Sequence, residues 1–212
     1  MITPERLSDL HKDILKEIGN IGAGHAATAL SGLVNKAIDM HVPSVKLARF
    51  HEVTDLVGGE ETVVAATFLR VTGDAPGNMF FILTIDEAVS YLKDLTGDNR
   101  IDEESILACD MTRSALQETG NILAGSYLSS FSDFTGLHLS PSVPHLTVDM
   151  AGAILSAGLV EMSQVSDYAI IIDTQLKESE GERTGIDGHF LLLPDPDSFE
   201  KIFYSLGVPL DE

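Results

Sequence analysis

The sequence predicts an α+β protein made by tandem duplication, in which a helix-pair plus antiparallel-strand unit occurs twice and forms a pseudo-twofold sheet packed with helices. A repeated string, hairpin-linked strand patterns, and helical patterns at the ends of each half support this prediction. EIGNIGAG at residues 17–24 returns as ETGNILAG at 118–125, with six of eight positions identical. At the same offset of 101 residues, Leu15 matches Leu116, Ser31 matches Ser132, and Val42-Pro43 matches Val143-Pro144. The expected organisation is a single domain of two homologous halves, about 1–100 and 101–212.

Each element has its own signal. Leu7, Leu10, Ile14, Ile18 and Ile21 recur at spacings of three and four, the apolar stripe of an amphipathic helix over 5–20. Ala108, Met111, Ala115, Thr119 and Ile122 repeat that phase in the second half. After each glycine-containing joint, AATALSGLVNK and SYLSSFSDFTG read as a second helix, so each half begins with a helix pair. Strands follow at IDMHV and VKLARF around Pro43, at 62–71 and at 78–84, the last two joined as a hairpin through TGDAPG. A helix with Asp86 early and Gly97 late closes the first half. The second half offers HLTVDM, a helix over 149–162, YAIIIDTQLKE, HFLLLP and a final helix from Asp197 to Gly207. An acidic, glycine-containing loop at 178–187 supplies part of its extra length.

Composition narrows the functional classes. A 212-residue chain with 44% hydrophobic residues can bury a substantial core. Its net charge of -20 repels phosphate backbones and anionic lipid, so neither nucleic acid nor a membrane surface is an expected partner. Cys109, the single cysteine, excludes an intrachain disulfide and reads as a small apolar residue in a helix. The N-terminal residues carry no apolar signal, and no stretch approaches eighteen apolar residues, so the expected location is cytoplasmic.

The candidate chemistry sits on the repeated helices. Asp13, Glu17 and Asn20 in the first copy correspond to Ser114, Glu118 and Asn121 in the second. At about 100° per residue, Glu17 lies about 40° to one side of Asp13 and Asn20 about 20° to the other. Three polar side chains therefore share a narrow face, which the apolar stripe, centred roughly 95° away, leaves accessible. Gly19 and Gly120 each cost their helix about 1 kcal/mol relative to alanine, which implies close approach by another backbone or a ligand. Alternatively, each Glu is an ordinary solvated residue and each Asn caps the helix after the joint.

Other chemistries fit poorly. Asn occupies the place where a bridged-metal Glu-x-x-His motif needs histidine. The glycines of GNIGAG follow a helix rather than a strand, and Leu123 replaces one of them in the second copy, unlike a dinucleotide loop. Seven histidines (His11, His25, His41, His51, His138, His145 and His189) show neither repeat correspondence nor a triad or zinc spacing, and read as core or surface residues.

The pattern Asp/Ser-x-x-x-Glu-x-x-Asn, with Pro after twenty-two further residues, resembles the signature of the CheC-type chemotaxis phosphatases. Both copies fit, through Asp13, Glu17, Asn20 and Pro43 and through Ser114, Glu118, Asn121 and Pro144, as in the two-site members. The resemblance implies hydrolysis of the aspartyl phosphate on the response regulator CheY, with Mg²⁺ on that partner and no cofactor of the chain's own. It further implies that Asn20 and Asn121 orient the attacking water, and that Glu17 and Glu118 pair with the partner's active-site lysine. For Asp13 and Ser114 it suggests partner contact or helix support. A different class of role, again by resemblance, is a weakly catalytic or non-catalytic adaptor for the receptor deamidase CheD. The helix over 149–162, with its small residues AGAILSAG, is a candidate surface for that role, although such spacing also suits core packing. Duplication makes dimerisation unnecessary, so a monomer is expected.

Overall fold

The computed structural model describes residues 7–161, 168–178 and 186–208, which leaves most of the acidic loop at 178–187 outside the described residues. Two long helices dominate, α1 at Asp9–Val34 and α5 at Asp110–Thr135. Each is continuous through its glycine-containing segment, so the expected helix pair is a single helix of 26 residues in both halves. Glycines at the joint weaken local propensity by only about 1 kcal/mol each, and tertiary packing overrides that amount. Both helices end in a left-handed residue at equivalent positions, Asn35 (φ 54°) and Gly136 (φ 69°).

Shorter elements complete each half. In the first, β1 (Ile38–His41) and β2 (Val45–Arg49) flank Pro43, followed by α2 (Phe50–Leu56), β3 (Val63–Gly73), β4 (Gly77–Thr84) and α3 (Ile85–Thr96). In the second, α4 (Glu103–Ala108) precedes α5, and β5 (Leu139–Pro141), β6 (His145–Met150), α6 (Ala151–Glu161), β7 (Tyr168–Glu178), β8 (Ile186–Pro194) and α7 (Pro196–Ser205) follow. The short helices α2 and α4 add to the sequence-predicted set. Thr84, rather than Asp86, caps α3, through a reciprocal capping box with Glu87. Cys109 is exposed at the junction of α4 and α5, not inside a helix. Backbone amides of Thr112 and Met111 hold its thiol below the ordinary range. Among the described residues, no helix is long and apolar enough to cross a membrane.

The strands of the two halves interleave in one antiparallel sheet. Its order is β1-β7-β8-β4-β3-β5, with β2 also on β7 and β6 also on β3. Each half thus lends its broken outer strand to the other half's hairpin. The halves meet at the centre, where β4 pairs with β8 from Gly77↔Pro194 to Ile82↔His189. That arrangement makes the sheet pseudo-twofold.

Alternation along the strands divides the core between the two faces. Met79, Phe81, Leu83, Ile170, Ile172, Phe190 and Leu192 face α1, α3, α5 and α7. Phe80, Ile82, Ala169, Ile171, Leu191 and Leu193 face α2 and α6. Buried tyrosine hydroxyls tie elements together: Tyr91 of α3 pairs with Thr119 of α5 across the halves at 2.7 Å, and Tyr127 of α5 pairs with Thr174 of β7 within the second half at 2.9 Å. Burial pushes both phenols up to about 12, so these hydroxyls keep their protons at neutral pH. His11, which is buried, accepts from the Ser8 amide at 3.0 Å through Nδ1 and donates Nε2–H to the Val208 carbonyl at 2.9 Å. The start of α1 is thereby fastened to the segment after α7.

A polar knot holds β2 on β7. Asp173 accepts from the Ser44 hydroxyl, from Lys46 Nζ at 3.3 Å and from His189 Nδ1 at 3.0 Å. Partial burial alone would raise the Asp173 carboxyl, but hydrogen bonds from His189 and Ser44 and the Lys46 charge outweigh it and depress the pKa. A carboxylate with a depressed pKa stabilises the fold above its unfolded value of about 3.9, and this contribution is lost as pH falls toward the folded value. Asp173→Asn is expected to cost about 1–3 kcal/mol at pH 7. In urea titrations the gap between variant and parent should narrow below about pH 4. An unchanged midpoint at pH 7 would show that the knot contributes nothing.

Candidate functional site

Packing sets the roll of each long helix and, with it, the position of the candidate residues. On α1, His11, Leu15, Ile18 and Gly22 are buried, and at 100° per residue they centre about 170° from Asp13. The Asp13–Glu17–Asn20 face is therefore opposite the core rather than beside it, as the apolar stripe had suggested. On α5, Leu116, Thr119, Gly120 and Leu123 are buried in the same way. Asp13, Glu17, Ser114 and Glu118 are exposed, while Asn20 and Asn121 are half-buried. The sequence-predicted residues thus form one outward ridge on each helix.

Glycines on the buried side explain the close fit. A Cβ on Gly22 would lie 2.6 Å from Tyr127 Cδ1, so this glycine lets α1 pass directly against α5. A Cβ on Gly120 would lie 2.5 Å from Thr67 Cγ2 on β3, and one on Gly19 would lie 3.4 Å from Val42. Gly19 and Gly120 therefore seat the helices on the chain's own strands, and their close approach is not to a ligand. Neither asparagine caps a helix, because both lie in mid-helix.

The two copies differ in how the Pro-containing connection meets the ridge. In the first, the Asn20 amide is engaged at both ends, with Nδ2 donating to the Lys16 carbonyl at 3.1 Å and Oδ1 accepting from the Val42 amide at 2.9 Å. Val42 is drawn into the core at 2% exposure. In the second, Gln117 Nε2 holds the Pro144 carbonyl at 2.9 Å, and Ser142 is tied to Arg70 of β3 through two hydrogen bonds of 2.8 and 3.0 Å. Val143, the counterpart of Val42, is 84% exposed. Asn121 makes one long contact, 3.5 Å to the Glu118 carboxylate. An open groove of about 540 Å³ runs between the Ser114–Glu118–Asn121 ridge and Pro141–Pro144. The first ridge is latched and the second is open.

Two residues assigned by periodicity to the buried stripe belong to the ridge instead. Leu10 is 58% exposed and its counterpart Met111 is 78% exposed. On the helical wheel each lies only about 20° from the ridge glutamate seven residues on, a phase that the sequence already contained. Gln117 carried no advance signal, and the repeat match at Val143 did not reveal its exposure, because both roles depend on how the strand connection returns to α5. The start of α6 packs on the chain itself. Ala151, Ile154 and Leu155 are buried, and a Cβ on Gly152 would lie 3.1 Å from Glu60 of the same chain.

Interleaved halves and a duplicated Glu/Asn ridge define an internally duplicated α+β protein. The chain belongs to the CheC-like family, whose profile matches residues 10–47 and 111–148, each span enclosing one ridge and its strand connection. It is 48% identical over 198 residues to the CheY-P phosphatase CheC of Bacillus subtilis (strain 168), covering 93% of this chain and 94% of that one. It is 30% identical over 140 residues to the flagellar motor switch phosphatase FliY of the same organism, across 66% of this chain and 36% of FliY. Thermotoga maritima FliY shares the fold, with a TM-score of 0.72 at 20% identity over 98% of each chain.

Gly120 offers a test of how tightly the helix is seated. Gly120→Ala is expected to destabilise by about 1–3 kcal/mol through overpacking against Thr67, exceeding the helix-propensity gain of about 1 kcal/mol. Gly19→Ala, with ordinary contact distances, should be near neutral. Denaturant midpoints for the two variants check this, and equal stability of Gly120→Ala and the parent would contradict it.

Proposed function

We propose that this chain accelerates hydrolysis of the aspartyl phosphate on the chemotaxis response regulator CheY, through two Glu/Asn sites on α1 and α5. The observation that carries this is the outward display of the same carboxylate and amide, one helical turn apart, on two equivalent helices. The 48%-identical relative named CheY-P phosphatase CheC supports it.

The chemistry asked of the ridge is modest. An aspartyl phosphate already has its Mg²⁺ and lysine on the receiver, so the visiting helix needs only to place water in line and hold the geometry. Asn121, and Asn20 once its latch is released, orient the water by hydrogen bonding. Water attacks phosphorus, the bond from phosphorus to the aspartyl oxygen breaks, and the products are the free carboxylate and inorganic phosphate. Glu118 and Glu17 pair with the receiver's lysine and set the register of the helix across the pocket. Ser114 and Asp13 contact the partner beside them. Both sites reside in one chain, so the active species is a monomer working in the cytoplasm with its partner, and it holds no cofactor itself.

The open second groove and the occupied Asn20 amide make the sites unequal. Loss of a preorganised polar group typically costs about two to three decades at the site concerned. Asn121→Ala should therefore remove most of the turnover and Asn20→Ala a minor part, with the double variant nearly inactive. Decay of phosphorylated CheY at substoichiometric amounts of each variant measures this. If the double variant matched the parent, the proposed mechanism would fail. If the parent acted only at about one equivalent without turnover, the chain would be a sequestering module.

A further inference from the structure

Each Glu/Asn pair lies between two unusual residues on the same ridge. Leu10 and Met111, both large, apolar and more than half exposed, stand seven residues before Glu17 and Glu118. Gly24 and Gly125 stand four residues after Asn20 and Asn121, and a Cβ on either would have no heavy atom within 4 Å. Both features are costly in a solitary helix. An exposed large apolar side chain gains nothing from burial, and a mid-helix glycine with open space around it forfeits about 1 kcal/mol relative to alanine. Unlike Gly22 and Gly120, these glycines have no neighbour in the chain that excludes a side chain. The same pair of features at the same offset in both copies points outward, to something that covers the ridge.

We infer that Leu10 with Gly24, and Met111 with Gly125, frame two equivalent docking footprints for the phosphorylated receiver domain. The apolar side chain anchors one end, and the bare glycine backbone admits close approach at the other. Resting on the phosphatase function proposed above, the footprint has one occupant, because its ends are too near the Glu/Asn pair to serve a second partner at once. At 1.5 Å per residue the fourteen residues from Leu10 to Gly24 span about 21 Å. A standard interface of about 800 Å² per partner is about 32 Å across, so a domain centred on Glu17 and Asn20 covers both ends. Anchors of this kind sit beside the reacting groups and supply binding rather than chemistry. At the second ridge Val143 adds a further exposed apolar wall to the groove that contains Glu118 and Asn121.

The test separates binding from chemistry. In steady-state turnover of phosphorylated CheY, Leu10→Ser combined with Met111→Ser should raise KM by about tenfold, with the effect falling on KM rather than kcat. The conservative pair Leu10→Met with Met111→Leu should restore the parental KM. Gly24→Leu with Gly125→Leu gives the opposing signature, since added helix propensity should raise the unfolding midpoint while steric bulk raises KM. An unchanged KM in both the serine and the leucine pairs, with the parent turning over normally, overturns the footprint and leaves the phosphatase function intact. Absence of turnover by the parent overturns that function instead.

Discussion

The seating of α1 and α5 against each other and against one face of the sheet governs the rest of this molecule. Gly22 against Tyr127 and Gly120 against Thr67 leave no space for a β-carbon, so each helix can lie down in one rotational setting. Rotation by one residue would press a side chain into a strand and carry the polar ridge with it. Because protein interiors pack at crystal-like density, that setting resists small displacements. The chain therefore holds its Glu and Asn side chains toward solvent by means of glycines on the opposite side.

Interleaving of the halves has a related consequence. β1 and β2 depend on β7, and β5 and β6 depend on β3, so neither half can complete its sheet alone. The connection that borders each ridge is consequently positioned by the other half. Asp173, itself held by His189 and like it from the second half, anchors Ser44 and Lys46 beside Pro43, while Arg70 from the first half anchors Ser142 next to the second ridge. Divergence between copies can then change one site without altering the other. Asn20 latches the Val42 amide, whereas Gln117 holds Pro144 and leaves Val143 exposed, which gives two ridges with the same Glu/Asn pair but different surroundings.

Much of this was legible in the residues, because duplication doubles every signal. Strand spans, the hairpin at TGDAPG, the closing helices and the Asp/Ser, Glu and Asn faces all follow from local periodicity. Errors arose where local rules met tertiary packing. The glycines at residues 19–24 suggested a joint, yet the helix continues, since packing against Tyr127, Val42 and Ile172 outweighs the small propensity loss. Leu10 and Met111 matched the three-and-four spacing of a core stripe, but the true buried centre is carried by Leu15, Ile18 and Gly22. Small residues contribute little to a hydrophobic pattern, so the side of a helix that lies closest to its neighbours can be the hardest to recognise in sequence.

The sequence by itself determined the duplication, the α+β class and the identity of the paired carboxylate and amide, because each depends on residues close together in the chain or on exact repetition. Only the tertiary structure decided which strands pair, which side of α1 and α5 faces out, and that one ridge is latched while the other is open. Those outcomes depend on contacts such as Gly22 with Tyr127 and Asn20 with Val42. Such contacts join residues far apart in the chain, and their energies exceed the local propensities that a single sequence records.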